Sequence, residues 1–360
     1  MSAFSKEERV AFDDAIEGFQ DALVLSKLVN VYRTDQQMME RSSDVIWRPQ
    51  PYVMRSFTGL NQTANFAGVT QLSVPARITT VQSVPWEMVV TELRDGIQEG
   101  LIRQGASQKL ASDINVAVTN TISNEGTLVV KRTAAATGFD DVAAADAFMT
   151  EIGVQFDGRN IGLSARDYNS MAGNLAARQN VVGKVLNAYD RAYIGPVASF
   201  DAFKMDYVNR LNVAVPGAGV TVNGANQRYV PRATSTAVSG ETNNVDNRVQ
   251  TLNVTVGAGG GIKAGDCFTI AGVNSVHLIT KLDTGQLKTF RIRSITSGGG
   301  TAGANVIVIS PPIIAADSAP TAAESQYKNV TATPAGGAVI TFLNTATGNI
   351  NPFWHKDAVE

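Results

Sequence analysis

Between Trp86 and Asn124 the chain carries a run of helical periodicity far longer than a globular helix needs. Val89, Val90, Leu93, Ile97 and Leu101 fall on one apolar stripe, and Leu110, Ile114, Val118 and Ile122 resume it after Gln104-Gly105. Pro85 suits the start, because its ring presets φ and its missing N–H is one that the first turn leaves unbonded anyway. Gly126 is a natural stop. At 1.5 Å per residue such a helix is about 58 Å long, several times the common length. A rod of that size implies a plate-like subunit that it braces.

The 360 residues amount to about two domains, and an apolar fraction of 44% excludes wholesale disorder. Thirty basic residues against 32 acidic ones leave a net charge of -2, so no basic excess is present to neutralise phosphates as nucleic-acid wrapping requires. Cys267 is the sole cysteine, which rules out an intrachain disulfide or a thiolate cluster and fits a reducing compartment. The first residues, Met1-Ser2-Ala3-Phe4-Ser5-Lys6-Glu7-Glu8, have the wrong chemistry for a secretory or transit peptide. The longest apolar stretch, Val306 to Ala316, is broken by Ser310-Pro311-Pro312 and is too short for a membrane span.

Around the long helix the pattern changes several times. From Ser5 to Arg33, Phe12, Ile16, Phe19, Leu23, Leu25, Leu28 and Val29 predict an amphipathic N-terminal helix. Val45 to Val84 predicts a long hairpin with a wide tip, punctuated by Pro49, Pro51 and Pro75. A two-stranded hairpin of this size leans on a neighbouring chain. Phe139 to Val215 predicts an α+β region, with helices over Val142–Phe148, Ala165–Ala177 and Phe200–Val208 and a strand over Leu211–Val215. Beyond Pro216, Thr, Val, Asn, Gly and Ala dominate, and Thr251–Val256, Lys288–Ile295 and Asn305–Ile309 alternate. Residues 217–347 therefore read as a separate β-rich domain of the small-barrel kind. The expected fold class is α+β.

No motif survives as chemistry. Gly298-Gly299-Gly300-Thr301-Ala302-Gly303 has the spacing of a dinucleotide loop but leads into the strand-like Val306–Ile309, which makes it a hairpin turn. Gly257–Lys263 misses the phosphate-loop spacing and reads as a loop. His277 and His355 are the only histidines and lack a nearby carboxylate pattern, so no metal site is expected. Cys267 and His277 are the one conceivable thiolate pair, yet Cys267 sits in an alternating strand where a buried structural cysteine is the ordinary outcome. Glu92, Arg94 and Asp95 are oppositely charged neighbours on a helix surface, an interface or solvated face rather than an acid–base pair.

Several short segments, in a common order, carry a resemblance. They are Arg41-Ser42-Ser43-Asp44-Val45-Ile46-Trp47-Arg48-Pro49, Leu93-Arg94-Asp95 with Lys109-Leu110-Ala111, Asp167-Tyr168, and Phe200-Asp201. They continue with Val245-Asp246-Asn247-Arg248, Gly265-Asp266, Ala271-Gly272-Val273 and Asn351-Pro352-Phe353-Trp354 with Asp357-Ala358. Over nearly its whole length the chain resembles the major capsid (coat) proteins of tailed bacteriophages, and within them the short-tailed Salmonella-phage type with an inserted telokin-like β-barrel domain.

The resemblance implies the tailed-phage (HK-ninety-seven-like) capsid fold. Its parts would be an N-terminal arm at 1–44, an extended loop at 45–84, a spine helix and peripheral domain at 85–130, and a peripheral and axial domain at 131–216. The inserted barrel would occupy 217–347 and the return to the body 348–360. It also implies assembly as pentamers and hexamers into an icosahedral shell, with a scaffolding protein, a portal at one vertex, expansion around packaged double-stranded DNA without sequence specificity, and in some cases a decoration protein. No cofactor and no membrane are involved, and assembly would take place in the host cytoplasm. The near-neutral charge suits a container that must not grip its genome. Similar proteins run several dozen residues past the Phe-Trp motif, so an ending at Glu360 implies a truncated sequence or shortened closing strands.

By the same resemblance, the polar stretch Ala233 to Asp246 is a protruding loop that meets a neighbouring capsomer at the local two-fold through Glu241, Asp246 and Arg248. Arg41 and Trp47 would stand where the extended loop begins, and Arg94 and Asp95 on the spine-helix surface. The rival readings are an encapsulin-like compartment, a β-rich decoration or adhesion protein, and a hydrolase using Cys267.

Overall fold

The structure, a computed structural model, describes residues 25–31, 45–77, 82–85, 87, 96–132, 138–177, 194–317 and 319–360. Most of the expected N-terminal helix, Arg41, Glu92, Arg94, Asp95 and nearly all of 86–95 lie outside the described residues.

Strands β1 (Val45–Pro49) and β2 (Ser73–Arg77) pair antiparallel, from Val45 opposite Arg77 to Pro49 opposite Ser73, and hold residues 50–72 between them. Helix α1 (Gly96–Glu125) supplies 30 residues of the long rod, about 45 Å. It stops where the Gly126 N–H donates to the Ile122 carbonyl at 3.1 Å, and a Cβ at Gly126 would lie 2.7 Å from that oxygen. Its buried face differs from the expected stripe. Ala106, Ser107, Ala111, Thr119, Ile122 and Ser123 are buried, whereas Leu101 is 64% exposed and Leu110, Ile114 and Val118 are only half-buried. Burial here follows close approach, which small side chains permit, rather than side-chain hydrophobicity.

Helix α2 (Phe139–Ile152) begins with the Asp141 carboxylate accepting from the Gly138 N–H at 3.2 Å. It ends at Gly153, whose φ of 95° is left-handed and suits glycine. Strand β3 (Arg159–Ser164) is buried along its whole length, and Ser164 caps helix α3 (Ala165–Ala176) by accepting from the Asp167 N–H at 3.2 Å. The Arg159 side chain is fully buried. It pairs with the Asp146 carboxylate, donates to Thr150 Oγ1 at 3.0 Å and to the Gln155 carbonyl at 2.7 Å, and lies 4.7 Å from the Phe156 ring centroid. Every donor of this buried charge that is named here has a partner, the condition under which burial is tolerated.

Strand β4 (Asp201–Met205) runs parallel to β3, from Asn160 opposite Asp201 to Ser164 opposite Met205. This corrects the helix expected over Phe200–Val208: Phe200, Phe203 and Tyr207 satisfy a helical spacing as well, and pairing with a buried strand decides between the two periods. The strand expected over Leu211–Val215 shrinks to β5 (Arg210–Leu211), and Val215 makes only an isolated bridge to Gly261.

The following strands are β6 (Val220–Val222), β7 (Thr234–Thr236), β8 (Thr242–Asn244), β9 (Gln250–Gly261), β10 (Cys267–Val276), β11 (Asp283–Ser297) and β12 (Thr301–Ser310). Helix α4 (Ala322–Tyr327) and strand β13 (Val339–Phe342) come next. Strands β10, β11, β12, β9, β6 and β13 close, in that order and antiparallel throughout, into a barrel. The period-two pattern fills it: Leu252, Val254 and Val256 meet Phe268, Ile270, Phe290, Ile292, Ile307 and Ile309, with Phe268 and Phe290 stacked at 5.7 Å. Gly298, Gly299 and Gly300, all at positive φ, form the β11–β12 turn. The Gly257–Gly261 cluster, expected as a loop, is instead the end of β9. A Cβ at Gly257 would come 2.7 Å from the Gly219 carbonyl, so the glycine permits a close backbone approach.

Past the barrel, β14 (Gly348–Asn349) pairs with β5, and β15 (Phe353–His355) adds to β3 opposite β4. The Asn351 side chain donates to the Asp167 carboxylate at 2.9 Å and accepts from the Ser164 N–H at 3.0 Å. The Trp354 Nε1–H donates to the Leu28 carbonyl at 3.2 Å, and the Asn30 N–H to the Val359 carbonyl at 2.9 Å, which ties residues 25–31 to the C-terminal segment. The result is an α+β chain with a small barrel in its second half. No described helix is long and apolar enough to cross a membrane.

The barrel and the body meet at the end of α1. An α-helix leaves its last carbonyls without intrahelical partners, and α1 has no Lys or Arg in its last turn. Strand β11 supplies what is missing. Arg291, buried, donates Nη1 to the Ser123 carbonyl. Arg293 reaches the Asn124 carbonyl at 3.4 Å and the Glu125 carboxylate at 2.6 Å, and Thr289 Oγ1 donates to the Thr127 carbonyl at 2.6 Å. Replacing Arg291 by Met orphans a buried carbonyl, a loss of about 1–3 kcal/mol. In Arg291→Met/Arg293→Met, hydrogen exchange of the amides at 120–126 should accelerate at least tenfold while β9 and β12 keep their protection; unchanged exchange would show that the contact holds nothing.

Lys288 lies on the same face of β11 as Phe290 and Ile292 and is 7% exposed. Burial alone brings its ammonium down to about 8 from the ordinary 10.5. Between these values the unfolded chain holds a proton that the folded protein has released, so this residue makes stability rise as pH climbs from about 8 to 10.5. Lys288→Met should therefore be more stable than the parent at pH 7, by an amount on the order of a few kcal/mol, with the difference falling below about 1 kcal/mol by pH 10. Denaturant melts from pH 7 to 10 check this; a variant less stable at pH 7 contradicts it.

Candidate functional site

The residues considered for chemistry are kept apart by the fold. Cys267 opens β10 and His277 follows its last residue, so the length of the strand lies between thiol and imidazole. Cys267 is wholly buried. Its Sγ accepts from Arg291 Nε at 3.2 Å, and burial pushes the thiol up in spite of that guanidinium. A buried thiol kept protonated is no nucleophile. His277 Nδ1 accepts the Ile279 and Thr280 N–H groups at 3.2 Å each, and His355 Nδ1 accepts the Asp357 N–H at 3.2 Å; both imidazoles shape turns. Among the described residues no group of three or more His, Cys, Asp or Glu side chains is placed to hold a metal ion.

A cavity of about 540 Å³ lies where the end of α1, α2, β3 and residues 343–353 meet. Much of its polar lining is spent on structure. Asp167 accepts from Ser164 Oγ at 2.7 Å as well as from Asn351, and Asn344 donates to the Asn212 carbonyl at 2.9 Å and to the Asp266 carboxylate at 2.8 Å. Arg291 is held by Ser123 and Cys267. No acid and base converge there on an open position.

What the fold does display is two projecting elements. The first is the stretch from Ala233 to Asp246. It was expected without regular structure, but β7 and β8 pair within it, Thr234 opposite Asn244 and Thr236 opposite Thr242, around a turn in which the Gly240 N–H donates to the Ala237 carbonyl at 2.9 Å. Both strands are polar on both faces, so no alternation marks them in the sequence. Glu241 and Val238 are exposed at the tip.

Asp246 and Arg248 lie at the base and bind each other: Arg248 Nε and Nη2 donate to the two carboxylate oxygens at 2.9 and 2.7 Å, and the Arg248 N–H adds a bond of 3.1 Å. Burial would raise the Asp246 carboxyl, but these hydrogen bonds outweigh it and leave it below the usual carboxylate range. Of the three charges expected to reach outward, only Glu241 is therefore unengaged by an ion pair among the described residues. Asn247, which the sequence did not single out, pins the base. Its amide donates to the Arg232 and Val245 carbonyls at 2.9 Å each and accepts from the Arg232 N–H at 3.1 Å and Tyr229 Oη at 3.0 Å.

The second element is the hairpin of β1 and β2. Trp47 sits half-buried on β1 opposite Pro75. The tip presents Tyr52, Met54, Phe57, Leu60, Phe66 and Val69 to solvent, with Leu60 and Phe66 at 107% and 85% exposure. Where its ladder opens into the tip it touches the barrel: Ser73 bridges Asp246 in parallel, and Thr70 is bonded to Gln326 and Tyr327 of α4. Arg41, Arg94 and Asp95 lie outside the described residues.

A family model described as "P22 coat protein - gene protein 5" matches residues 2–360. Among solved structures, the CUS-3 coat protein I-domain is 38% identical and covers 36% of this chain and 97% of its own, with a TM-score of 0.27. A structure from Mycobacterium phage Che8 is 11% identical over 88% of this chain and 90% of its own, with a TM-score of 0.40. The capsid structure of the Cyanophage P-SCSP1u is 12% identical over 91% and 88%, with a TM-score of 0.32. With the family model spanning all but the first residue, the chain belongs to the P22 coat protein family and is a structural protein of the phage capsid, not an enzyme.

Proposed function

We propose that this coat protein builds a closed icosahedral phage head as pentamers and hexamers, its copies joined through the extended loop at 45–84 and the loop at 233–248. The observation that carries the reading is the apolar tip of the hairpin. Six large side chains within 52–69 are at least 47% exposed, Leu60 and Phe66 most of all, on the segment between the two strands. An apolar patch of this kind marks an interaction surface. Full burial of a side chain of this size contributes about 1.5–3 kcal/mol, and Leu60, Phe66 and Met54, the most exposed, together offset part of the 4–15 kcal/mol or so that association costs. The occupant that suits it is a second copy, since a capsid is built from many copies of its coat protein.

The loop at 233–248 acts more weakly. The ion pair of Asp246 and Arg248 shapes its base, and Glu241 at the tip is the charge that reaches a neighbouring capsomer. One exposed ion pair contributes roughly 0–1 kcal/mol, but a shell repeats it at every equivalent position. The division at 1–44, 45–84, 85–130, 131–216, 217–347 and 348–360 follows the same reading: arm, loop, spine and peripheral parts, peripheral and axial part, inserted barrel and return. So do assembly in the host cytoplasm around a scaffolding protein, a portal at one vertex and expansion around double-stranded DNA. The net charge of -2 supports a container that holds its genome loosely.

Coexpression with the scaffolding protein should yield closed shells of hundreds of copies by electron microscopy. Leu60→Ser/Phe66→Ser should abolish them and leave the melting temperature of the subunit within about 2 °C, because neither side chain is buried in it. Small oligomers from the parent, or normal shells from the variant, contradict the reading. Glu241→Ala should likewise spare the melting temperature and give misassembled particles or tubes. Asp246→Ala, by contrast, should accelerate hydrogen exchange at the Arg248 amide; normal, salt-resistant shells from Glu241→Ala would make the loop a solvated turn.

A further inference from the structure

We propose that Gln326 and Tyr327 are positioning residues by which the barrel sets the direction in which the extended loop leaves the subunit. The inference rests on the reading of that loop as the contact between copies. Residues 70–72 have no strand of their own to pair with along this edge, and α4 supplies the bonds in place of a strand. The Gln326 side-chain amide, 2% exposed, faces the Thr70 backbone as a strand residue would: it accepts from the Thr70 N–H at 3.1 Å and donates Nε2–H to the Thr70 carbonyl at 3.0 Å. Tyr327 Oη donates to the same carbonyl at 2.7 Å and accepts from the Leu72 N–H. Leu72 is buried beside them, and its own carbonyl accepts from the Gln50 N–H at 2.8 Å, which brings the other side of the hairpin into the same anchor. One residue further, Ser73 bridges Asp246 at the base of the barrel loop.

The platform is stiff. Thr321 and Glu324 cap α4 reciprocally, with the Thr321 N–H donating to the Glu324 carboxylate at 2.8 Å and the Glu324 N–H to Thr321 Oγ1 at 3.2 Å. Fully buried Glu324 lies 3.3 Å from Arg228 Nε. Asn329 fixes the chain just after the helix, donating to the Pro312 carbonyl at 2.8 Å and accepting from the Ile314 N–H at 3.0 Å. A hairpin two strands wide has little stiffness of its own; the Arg48–Glu360 ion pair holds β1 to the C-terminal segment, and the direction in which residues 50–69 leave the ladder is set by what grips residues 70–73. Both of the elements that do so belong to the barrel half of the chain. The barrel thereby transmits its own placement to the tip, whose exposed Phe66 and Leu60 lie four and ten residues before Thr70.

The test compares Gln326→Ala, Gln326→Glu and Tyr327→Phe in the full chain, first as unassembled subunit and then with scaffolding protein. In the subunit, exchange of the Thr70 amide should rise at least tenfold in Gln326→Ala and less in Gln326→Glu, which keeps the acceptor for that amide. Tyr327→Phe, which loses only a hydroxyl, should accelerate Leu72. Amides of β9 to β12 should keep their protection in all three. On assembly, the fraction of closed shells of parental diameter should fall several-fold in the order Gln326→Ala, Gln326→Glu, parent. Unchanged exchange at Thr70 and Leu72 overturns the proposal, as do parental shells from a variant whose Thr70 amide is freed. Loss of protection throughout the barrel in Tyr327→Phe overturns it too, since the residue would then be part of the core and not a positioning group. Leu60→Ser/Phe66→Ser separates the two readings: it removes the contact between copies and leaves Thr70 exchange as in the parent. A parent that builds no shells counts against the assembly reading alone, because exchange in the subunit still reports the anchor.

Discussion

A long helix that ends against another part of its own protein, rather than in water, must find partners there for its last carbonyls, and α1 brings none of its own. The barrel provides them from one strand. Arg291, Arg293 and Thr289 alternate along the outer side of β11, as the period of two requires, while Phe290 and Ile292 point into the barrel. The same five residues thus fill one core and dock it on another. Charge-assisted hydrogen bonds to helix carbonyls are worth about 1.5–3 kcal/mol each, and the C-terminal end of the helix dipole adds to their attraction for guanidinium groups. Were β11 to slip by one position, Phe290 would face the helix and Arg291 the barrel interior, so register and docking fix each other.

From this junction the rest of the subunit follows. The barrel, held at the end of α1, carries α4 on another side, and α4 grips the hairpin where its ladder opens through Gln326 and Tyr327. The chain then returns to the body, where Asn351 binds the capped end of β3 and Trp354 binds the Leu28 carbonyl. A barrel in the second half of a chain could have hung from two linkers. Here it is bonded to the helix, to the hairpin and, through the His277–Leu282 turn, to the Ile152 carbonyl, which accepts from the Leu278 N–H at 2.8 Å. These bonds make one piece of two cores.

Much of this was legible in the residues because they obey a single period. Leu252, Val254 and Val256 alternate and lie in a barrel strand; Pro49, Pro75 and the turn residues Thr58-Gly59, Asn61 and Gly68 between them bound a hairpin; Gly126 ends the helix. Where two periods agreed, the reading failed, as at Phe200, Phe203 and Tyr207, and pairing with β3 decided for a strand. Where a strand has no apolar face, as in Thr234–Thr236, there was nothing to read. The anchors were invisible for a different reason. Arg291 and Arg293 look like the polar face of any strand, and Gln326 like any helix surface residue; only their distant partners distinguish them. One signal was available: a 30-residue helix without a base in its last turn implies that a cation comes from elsewhere. The capsid resemblance placed Asp246 and Arg248 as outward charges, but two residues apart at a turn they satisfy each other first.

The central claim is that two projecting elements join copies of a subunit whose halves are locked together at the end of α1. The most direct measurement is an electron cryo-microscopy map of assembled shells at side-chain resolution. The account predicts density in which Leu60 and Phe66 are buried against a second copy while Arg291 still meets the Ser123 carbonyl of its own chain. A map with the hairpin tip in solvent, or with the barrel swung away from the end of α1, would contradict it.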